Sequence, residues 1–446
     1  MKQAPEVKMS LLTYLRLAKH DLIGLRTQIF KEYGDIAWYK VKGVKNYYLM
    51  HPDHVRHILK DNQDNYLLRH NLLPQVFCPF TGKGINFNND LPQWHRDRST
   101  AMTSFEPVLY FKDYAATITQ QSGRMLDRWE KQYKNKQYIN VEKEIGELII
   151  DIVASTLFTN IEINSEELLA LILDVIEVAK DKLYTFPLFW PFSKKKKKYD
   201  EVRKNLKSLS KSVLTQRLNN SVHYDDLIGS FINEYKDLPE SETVSHICDQ
   251  IITLFSVGYF TTSALIHWIF VELSLHPEIE EKISTELSQV IGTRVPTIDD
   301  IKSLPYLSAF IKEVLRLHPT LFGVMRQAAA DDLLGEYEIK KGGGIIVSVP
   351  HVHRHPDFWT NPEGFSPERF LHNALGQDNP FAYIPFGSGK RGCIGAAFST
   401  LEATLITAMF IQRYRLYLPP NTEIKSHITT VITMCPNIKT MQLILK

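Results

Sequence analysis

Residues Pro385–Gly395 read PFGSGKRGCIG. One thiol, Cys393, stands there among Gly387, Gly389, Gly392 and Gly395, beside the cations Lys390 and Arg391. A loop so rich in glycine gains little from a small apolar side chain, whereas glycines let a backbone turn tightly and approach a bound group. The sulfur is therefore read as a ligand, and what it binds decides the rest of the chain. The plainer reading, a structural cysteine packed in a turn, is kept for Cys78, Cys248 and Cys435.

Composition narrows the partners. The chain has 446 residues, 44% hydrophobic and 23% charged, with a formal net charge of +2. That balance is ordinary for a globular protein and makes no case for nucleic acid. The cysteines lie far apart, with no CxxC pair and no zinc-like spacing with histidine, which fits a reducing compartment. The N-terminal MKQAPEVKMSLLTYLRLAKHDL lacks the sustained apolar core and small-residue cleavage site of a signal peptide. Leu11, Leu12, Leu15 and Leu17 suit a short amphipathic helix. A cytoplasmic protein without an N-terminal membrane anchor is expected.

Gly34–Met50, GDIAWYKVKGVKNYYLM, predicts two strands around a turn at Lys42-Gly43. HPDHVRHILKDN then reads as a short helix with Pro52 near its start. Residues 63–92 mix Gly, Pro and Asn with Leu and Phe without a clear period and predict a long loop holding one helical turn. From Trp94 to about Arg217 apolar residues recur at three and four, the period of helices. Ile339–Val349, IKKGGGIIVSV, predicts a late strand. No repeat or linker interrupts the chain, so residues 1–446 are read as one domain, mainly α with small β-sheets. Ile251–Val271 carries no formal charge, and its length alone allows a membrane span. It also holds Ser256, Gly258, Thr261, Thr262, Ser263 and His267 and has no second span beside it. The central helix of a large soluble fold is the preferred reading.

The spacing Phe386-x-x-Gly389-x-Arg391-x-Cys393-x-Gly395 resembles the cysteine loop of the cytochrome P-450 superfamily of haem-thiolate enzymes, and the likeness runs from about Gly34 to the C-terminus. It implies haem b held between a long distal helix and this proximal loop, with the Cys393 thiolate as axial iron ligand. Phe386 would cover the sulfur, and Arg391 would face a haem propionate. Further stretches agree in order. WHRDR supplies Trp94 and Arg98, one turn apart, which in the family serve a propionate; alone they are a Trp covered by an Arg stem. KEVLRLHP supplies Glu313 and Arg316, and PERF supplies Arg369; together these imply a buried charge triad, where alone Glu-x-x-Arg is an ordinary solvated helix face. FGVMRQA places Arg326 for the other propionate, against the bland reading of an exposed strand-edge Arg.

By the same resemblance Ile251–Val271 becomes the distal helix, with VGYFTT at Val257–Thr262. Gly258 would let the haem come close, and Thr261 and Thr262 would hold water and assist protonation. The structural alternative is a hydroxyl bonded to the carbonyl one turn back. The family usually has Asp or Glu just before the first threonine; Phe260 stands there instead, so the usual proton-delivery carboxylate is missing. Phe77, Val257, Phe260, Leu321 and Phe322 would line a pocket for a lipophilic substrate, a fatty acid, isoprenoid or sterol. LYTFPLFWPF (Leu183–Phe192) would stand at its entrance. Lys194–Lys198, after Phe189, Trp190 and Phe192, reads as a solvated basic run or as a peripheral membrane contact. The chain is too short for a fused reductase, so dioxygen chemistry would draw electrons from a separate ferredoxin or flavoprotein, steered by Lys390 and its neighbours. A monomer is expected. The competing readings are a peroxide-driven peroxygenase, a haem-thiolate isomerase and a non-enzymatic haem sensor.

Overall fold

The computed structural model describes residues 2–41, 43–105, 107–133, 137–159, 164–184, 194–219, 226–371, 379–428 and 433–446. Helices dominate, with small sheets beside them, and the longest helix, Glu240–Leu275, runs through the main core. Its ends follow from its sequence. It starts after Pro239, carries Glu240 and Glu242 in the first turn, where carboxylates favour the positive end of the helix dipole, and stops at His276 before Pro277. Helices Val141–Leu157, Lys194–Asn219, Pro305–Leu317 and Ala396–Arg413 pack around it. Its most apolar stretch is 67% buried inside the fold. A helix walled on several sides needs apolar residues nearly all round, which is why this segment reads like a membrane span. Phe255, Ile266, Ile269 and Phe270 are buried along it, each contributing about 1.5–3 kcal/mol.

The largest sheet has five strands in the spatial order Ile36–Val41, Val44–Leu49, Gly344–Val347, Val324–Gln327, Leu68–Arg69. Val44–Leu49 and Gly344–Val347 run parallel, and the other neighbours antiparallel. The predicted hairpin is the first of these pairs; Lys42 of its turn lies outside the described residues.

Two local expectations are corrected. Within residues 63–92 a ten-residue helix forms, Leu72–Thr81, and buries Leu73, Val76, Phe77, Phe80 and Thr81. Those positions do recur at three and four; Pro74 and Pro79 masked the period, because proline reads as a helix breaker. Ile339–Val349 is not one strand. Tyr337–Ile339 pairs with Asp332–Leu334, and Gly344–Val347 joins the five-stranded sheet. Between them Gly343 N–H donates to Lys340 C=O at 2.9 Å, and Gly342 takes φ +80°, a conformation closed to a strand of side-chain-bearing residues. The N-terminal helix, Leu11–His20, forms under a Ser10 cap, with Leu11, Leu12 and Leu15 left exposed. The entrance segment 185–193 lies outside the described residues. Of the basic run beside it, Lys198 is paired with Asp174 and Glu177 at 2.8 and 2.7 Å, and Lys196 with Asp200.

Candidate functional site

The glycine-rich loop is held in shape by its neighbours. Cys393 N–H donates to Phe386 C=O at 3.0 Å, closing the loop on itself. Gly389 sits at φ +70°, and a Cβ there would lie 2.0 Å from Leu59 C=O, so no other residue fits. Lys390 N–H donates to Gln63 Oε1 at 2.8 Å, and its ammonium pairs with Asp64 at 2.5 Å. Helix Ala396–Arg413 begins after Gly395, so the positive end of its dipole faces the sulfur. Cys393 retains exposed surface although protein encloses it on most sides. Burial pushes its thiol up; the Gly395 N–H and the Arg98 cation act the other way, toward thiolate.

Around this loop the fold assembles arginines without acids. Arg98 donates to Gly392 C=O at 2.8 Å, and its guanidinium stands 5.8 Å from the Trp94 ring. Arg391 lies 4.0 Å from the same ring and donates to Asn88 C=O at 2.9 Å, while its Nε and one terminal nitrogen have no partner. Arg326 is buried, and its one hydrogen bond of note is to its neighbour Met325 C=O. Directly opposite it in the sheet register is Arg69, which donates to Asn86 at 2.9 and 3.1 Å. Like charges facing across a sheet repel. Desolvation pulls Arg391 down to about 8 and Arg69 to about 10, and lowers Arg326 and Arg98 as well; the neighbouring arginines add to the fall in Arg391, Arg69 and Arg326. Among the described residues no carboxylate forms an ion pair with any of the four. Burying so many cations together is unfavourable unless an anion joins them. A haem's two carboxylates meet that need, and its iron meets the sulfur, so the residues present fit the group. Sequence reading named Trp94, Arg98, Arg326 and Arg391; it missed Arg69, whose neighbours LLRHN carry no signal.

Glu313, Arg316 and Arg369 come together as a network. Glu313 and Arg316 have no exposed surface and bond twice, at 2.7 and 2.9 Å. Arg369 Nε reaches Glu313 Oε1 at 3.0 Å. Arg316 spends its remaining donors on the carbonyls of His353, Pro362 and Gly364, so all of its nitrogens are bonded. His353 extends the network. Its Nδ1 meets Arg316 C=O at 3.2 Å and its Nε2 accepts from Ile384 N–H at 2.8 Å, which fixes the proton on Nδ1. Ile384 directly precedes the cysteine loop, so the ring ties the ion network to that loop. The sequence offered only HVHRHP for it, one histidine among several.

On the long helix, Thr261 Oγ1 donates to Val257 C=O at 3.0 Å, one turn back. An added Cβ at Gly258 would lie 3.4 Å from Val153, so the room this glycine leaves is toward helix Val141–Leu157. Phe260 is half-buried and stacks edge-on with Tyr259 at 5.4 Å. Thr262 Oγ1 lies 3.4 Å from Ser399 Oγ on the helix after the cysteine. Beside them is Glu402, also missed in the sequence. It is fully buried, and neither carboxylate oxygen has a hydrogen-bond partner. Burial pushes it up to about 8, with the Thr262 hydroxyl only partly opposing this. A charged residue inside the apolar run of helix Ala396–Arg413 was the available signal.

The five pocket residues come from three segments. Phe77 stacks on Phe87 at 4.4 Å in a second core cluster with Ile252. Val257 and Phe260 are on the long helix, and Leu321 pairs by a bridge with Thr433. Phe322 carries the Arg26 guanidinium 4.5 Å over its ring. A different cluster, Asp35, His51 and His355, has metal-ligand composition. In both histidines Nδ1 accepts a backbone N–H, at 3.1 and 3.3 Å, which leaves Nε2 protonated and unfit to bind a cation. That cluster is structural.

Comparison with known proteins gives the same picture. The model of the cytochrome P450 family matches residues 4–443. The protein LUTEIN DEFICIENT 5, chloroplastic, of Arabidopsis thaliana is 29% identical over 426 residues, 88% of this chain and 69% of that one. Cytochrome P450 4c21 of Blattella germanica is 26% identical over 82% of this chain and 76% of its own. Cyclooctat-9-en-7-ol 5-monooxygenase of Streptomyces melanosporofaciens is 30% identical over 51% of this chain and 50% of its own.

Proposed function

The chain belongs to the cytochrome P450 family of haem-binding monooxygenases, and we propose that it hydroxylates a lipophilic substrate using two electrons from a separate ferredoxin or flavoprotein reductase. The observation that carries this reading is the cradle of Arg69, Arg98, Arg326 and Arg391 beside Cys393. Haem bound there supplies oxygen activation, inserting one atom of dioxygen into a C–H bond and releasing the other as water.

The chain's own residues do the rest. The four arginines would hold the two haem carboxylates, which would offset half of their charge. Burial raises the Cys393 thiol, and the Gly395 N–H and Arg98 work against that rise, so they would assist an iron in holding the sulfur as thiolate. Phe386, whose C=O accepts the Cys393 N–H, would shield the sulfur from water once haem is bound. Because Thr261 donates its proton to Val257 C=O, its oxygen presents lone pairs to a water. The phenyl ring of Phe260 can neither carry nor orient a proton. Glu402, which burial pushes up to about 8, holds a proton at neutral pH beside Thr262 Oγ1, whose hydroxyl faces Ser399 on the helix after the cysteine.

Aromatic and aliphatic walls support a lipophilic substrate, and one relative is named for oxidising cyclooctat-9-en-7-ol, an alcohol on a hydrocarbon skeleton. The test is the reduced carbon monoxide complex: the wild type should show the red-shifted absorption of a thiolate-bound haem, and Cys393→His should lose it. If the substituted protein keeps the band, Cys393 is not the ligand. The second reading, peroxide-driven oxidation, is favoured by Phe260 in place of an acid. A reductase titration separates the two, since peroxide arrives with its electrons and protons in place.

A further inference from the structure

Residues 82–90 read GKGINFNND and join helix Leu72–Thr81 to helix Leu91–Thr103, which carries Trp94 and Arg98. The two glycines let this segment lie directly against the long helix. A Cβ at Gly82 would stand 1.9 Å from Asp249 Oδ2, and one at Gly84 would stand 1.7 Å from Thr253 Oγ1. Lys83 N–H donates to Asp249 Oδ2 at 2.9 Å, and Ile85 N–H to Gln250 Oε1 at 3.0 Å. Just beyond that clamp the asparagines receive two arginines of the cradle. Arg69 donates to the C=O and the side chain of Asn86, and Arg391 to Asn88 C=O. Asn89 bonds the Arg69 backbone on both sides, at 2.7 and 3.0 Å.

The other end of the Gln250 amide reaches the helix that carries Arg98. Gln250 Nε2 donates to Asp97 Oδ2 at 3.2 Å. These two bonds fix the amide's orientation, because only its oxygen can accept from Ile85 and only its nitrogen can donate to a carboxylate. Asp97 has no exposed surface. Its Oδ1 accepts from the Tyr235 hydroxyl at 2.6 Å, His246 Nε2 at 2.7 Å and Gln93 Nε2 at 3.3 Å. A carboxylate out of water needs donors of this kind, and here they lock it in place. Asp97 adjoins Arg98 and stands one helical turn from Trp94, the ring that Arg98 and Arg391 flank. Gln250, itself 1% exposed, thus bonds to both supports of the cradle while making no hydrogen bond to any of the four arginines.

The geometry points to Gln250 as a positioning residue for haem: its amide fixes the segment that receives Arg69 and Arg391 against the helix that carries Arg98, so these guanidiniums meet the haem carboxylates already aligned. This assignment rests on the haem reading of the cradle and adds to it a residue that acts through others. The physical need follows from the charges. Cations crowded without an acid repel one another, and only carbonyl acceptors keep them in place before the anion arrives. Acceptors on an irregular segment are as firm as the bonds that anchor the segment. Donors held ready for an anion bind it without the entropy cost of ordering them on arrival. An apolar side chain at position 250 leaves the buried Ile85 N–H unpaired and removes one donor from Asp97.

The test measures transfer of the group from full-length protein to apo-myoglobin, with the protein loaded either with haem or with haem dimethyl ester. The ester has the same ring and iron and no carboxylate. Wild type should hold haem at least about tenfold longer than the ester, the scale of charge-assisted hydrogen bonds. Gln250→Leu should release haem about tenfold faster than wild type, as expected for one buried donor left unpaired and a loosened cradle. With the ester, Gln250→Leu and wild type should agree within about threefold, since nothing remains for the arginines to meet. Unchanged haem release overturns the assignment. So does an equal acceleration for haem and ester, which is what a merely structural glutamine gives. Should Gln250→Leu fail to fold, Gln250→Asn replaces it: its shorter amide cannot span both partners, and it should speed haem release severalfold and leave ester release unchanged. Equal effects of Gln250→Asn on haem and ester, or none on either, overturn the assignment in the same way. Failure of the haem reading shows separately, as a wild type without the red-shifted carbon monoxide band.

Discussion

Glu402→Gln isolates one buried charge and predicts a pH dependence with a definite sign. The substitution keeps the shape of the side chain and removes its titration. In the native protein the carboxyl has no exposed surface and no partner, and it is pushed up from an ordinary 4.5 to about 8. Between those values the folded chain binds a proton that the unfolded chain has released. The stability tied to this group is therefore whole below about pH 4.5 and is lost as pH rises through about 8. At about 1.36 kcal/mol per unit, wild type is at a disadvantage to the Gln variant of roughly 1–1.5 kcal/mol at about pH 5.5 and roughly 4–5 kcal/mol at about pH 9. Relaxation of the site trims the difference between the two pH values to roughly 2–3 kcal/mol. The assay is urea unfolding of haem-loaded wild type and variant, followed by circular dichroism across that range. The two stability curves should diverge as pH rises, and the infrared carbonyl stretch of a protonated carboxyl should be present in wild type at neutral pH and absent in the variant. Parallel curves, or no such stretch, would refute the reasoning: Glu402 would then be ionised and solvated, and no proton would wait beside Thr262.

Three further outcomes are expected. Glu313→Ala strands Arg316 and Arg369 without their carboxylate and should lower stability by about 3–5 kcal/mol, with little haem-loaded protein recovered; normal yield and unfolding midpoint would reduce the network to a surface ion pair. Arg391→Met should act in opposite directions: haem-free protein gains roughly 1–2 kcal/mol from relief of its crowded cations, while haem dissociates at least about tenfold faster to an apo-myoglobin trap, and destabilisation of both forms would contradict the cradle. Phe260→Glu should improve coupling of reductase electrons to product and lower the relative use of peroxide; if coupling, peroxide turnover and solvent isotope effect all stay put, Phe260 is only a wall.

The site was partly legible because its chemistry is local. Cys393, its glycines and Arg391 lie within one short loop, and Glu313–Arg316 within one helical turn, so spacing alone displays them. Residues joined only by the fold were not legible in this way. Arg69 faces Arg326 by strand register, His353 reaches Ile384 across a loop, and Arg26 meets Phe322 from a remote helix. None has a neighbour in sequence that announces it. The helix Leu72–Thr81 shows the converse: its period was present, but two prolines argued locally against a helix that tertiary burial of Phe77 and Phe80 favours.

The sequence by itself determined the family resemblance, the mainly helical class, the reactive thiol and the absence of an acid at position 260, because each depends on residue type and spacing along the chain. The tertiary structure alone decided which charges share a space. Four arginines without an acid, a carboxyl buried unpartnered and an aspartate ringed by donors are each unremarkable in one dimension. They acquire meaning only where folding removes water from them together, since the energy of a charge depends on what surrounds it and not on its place in the chain.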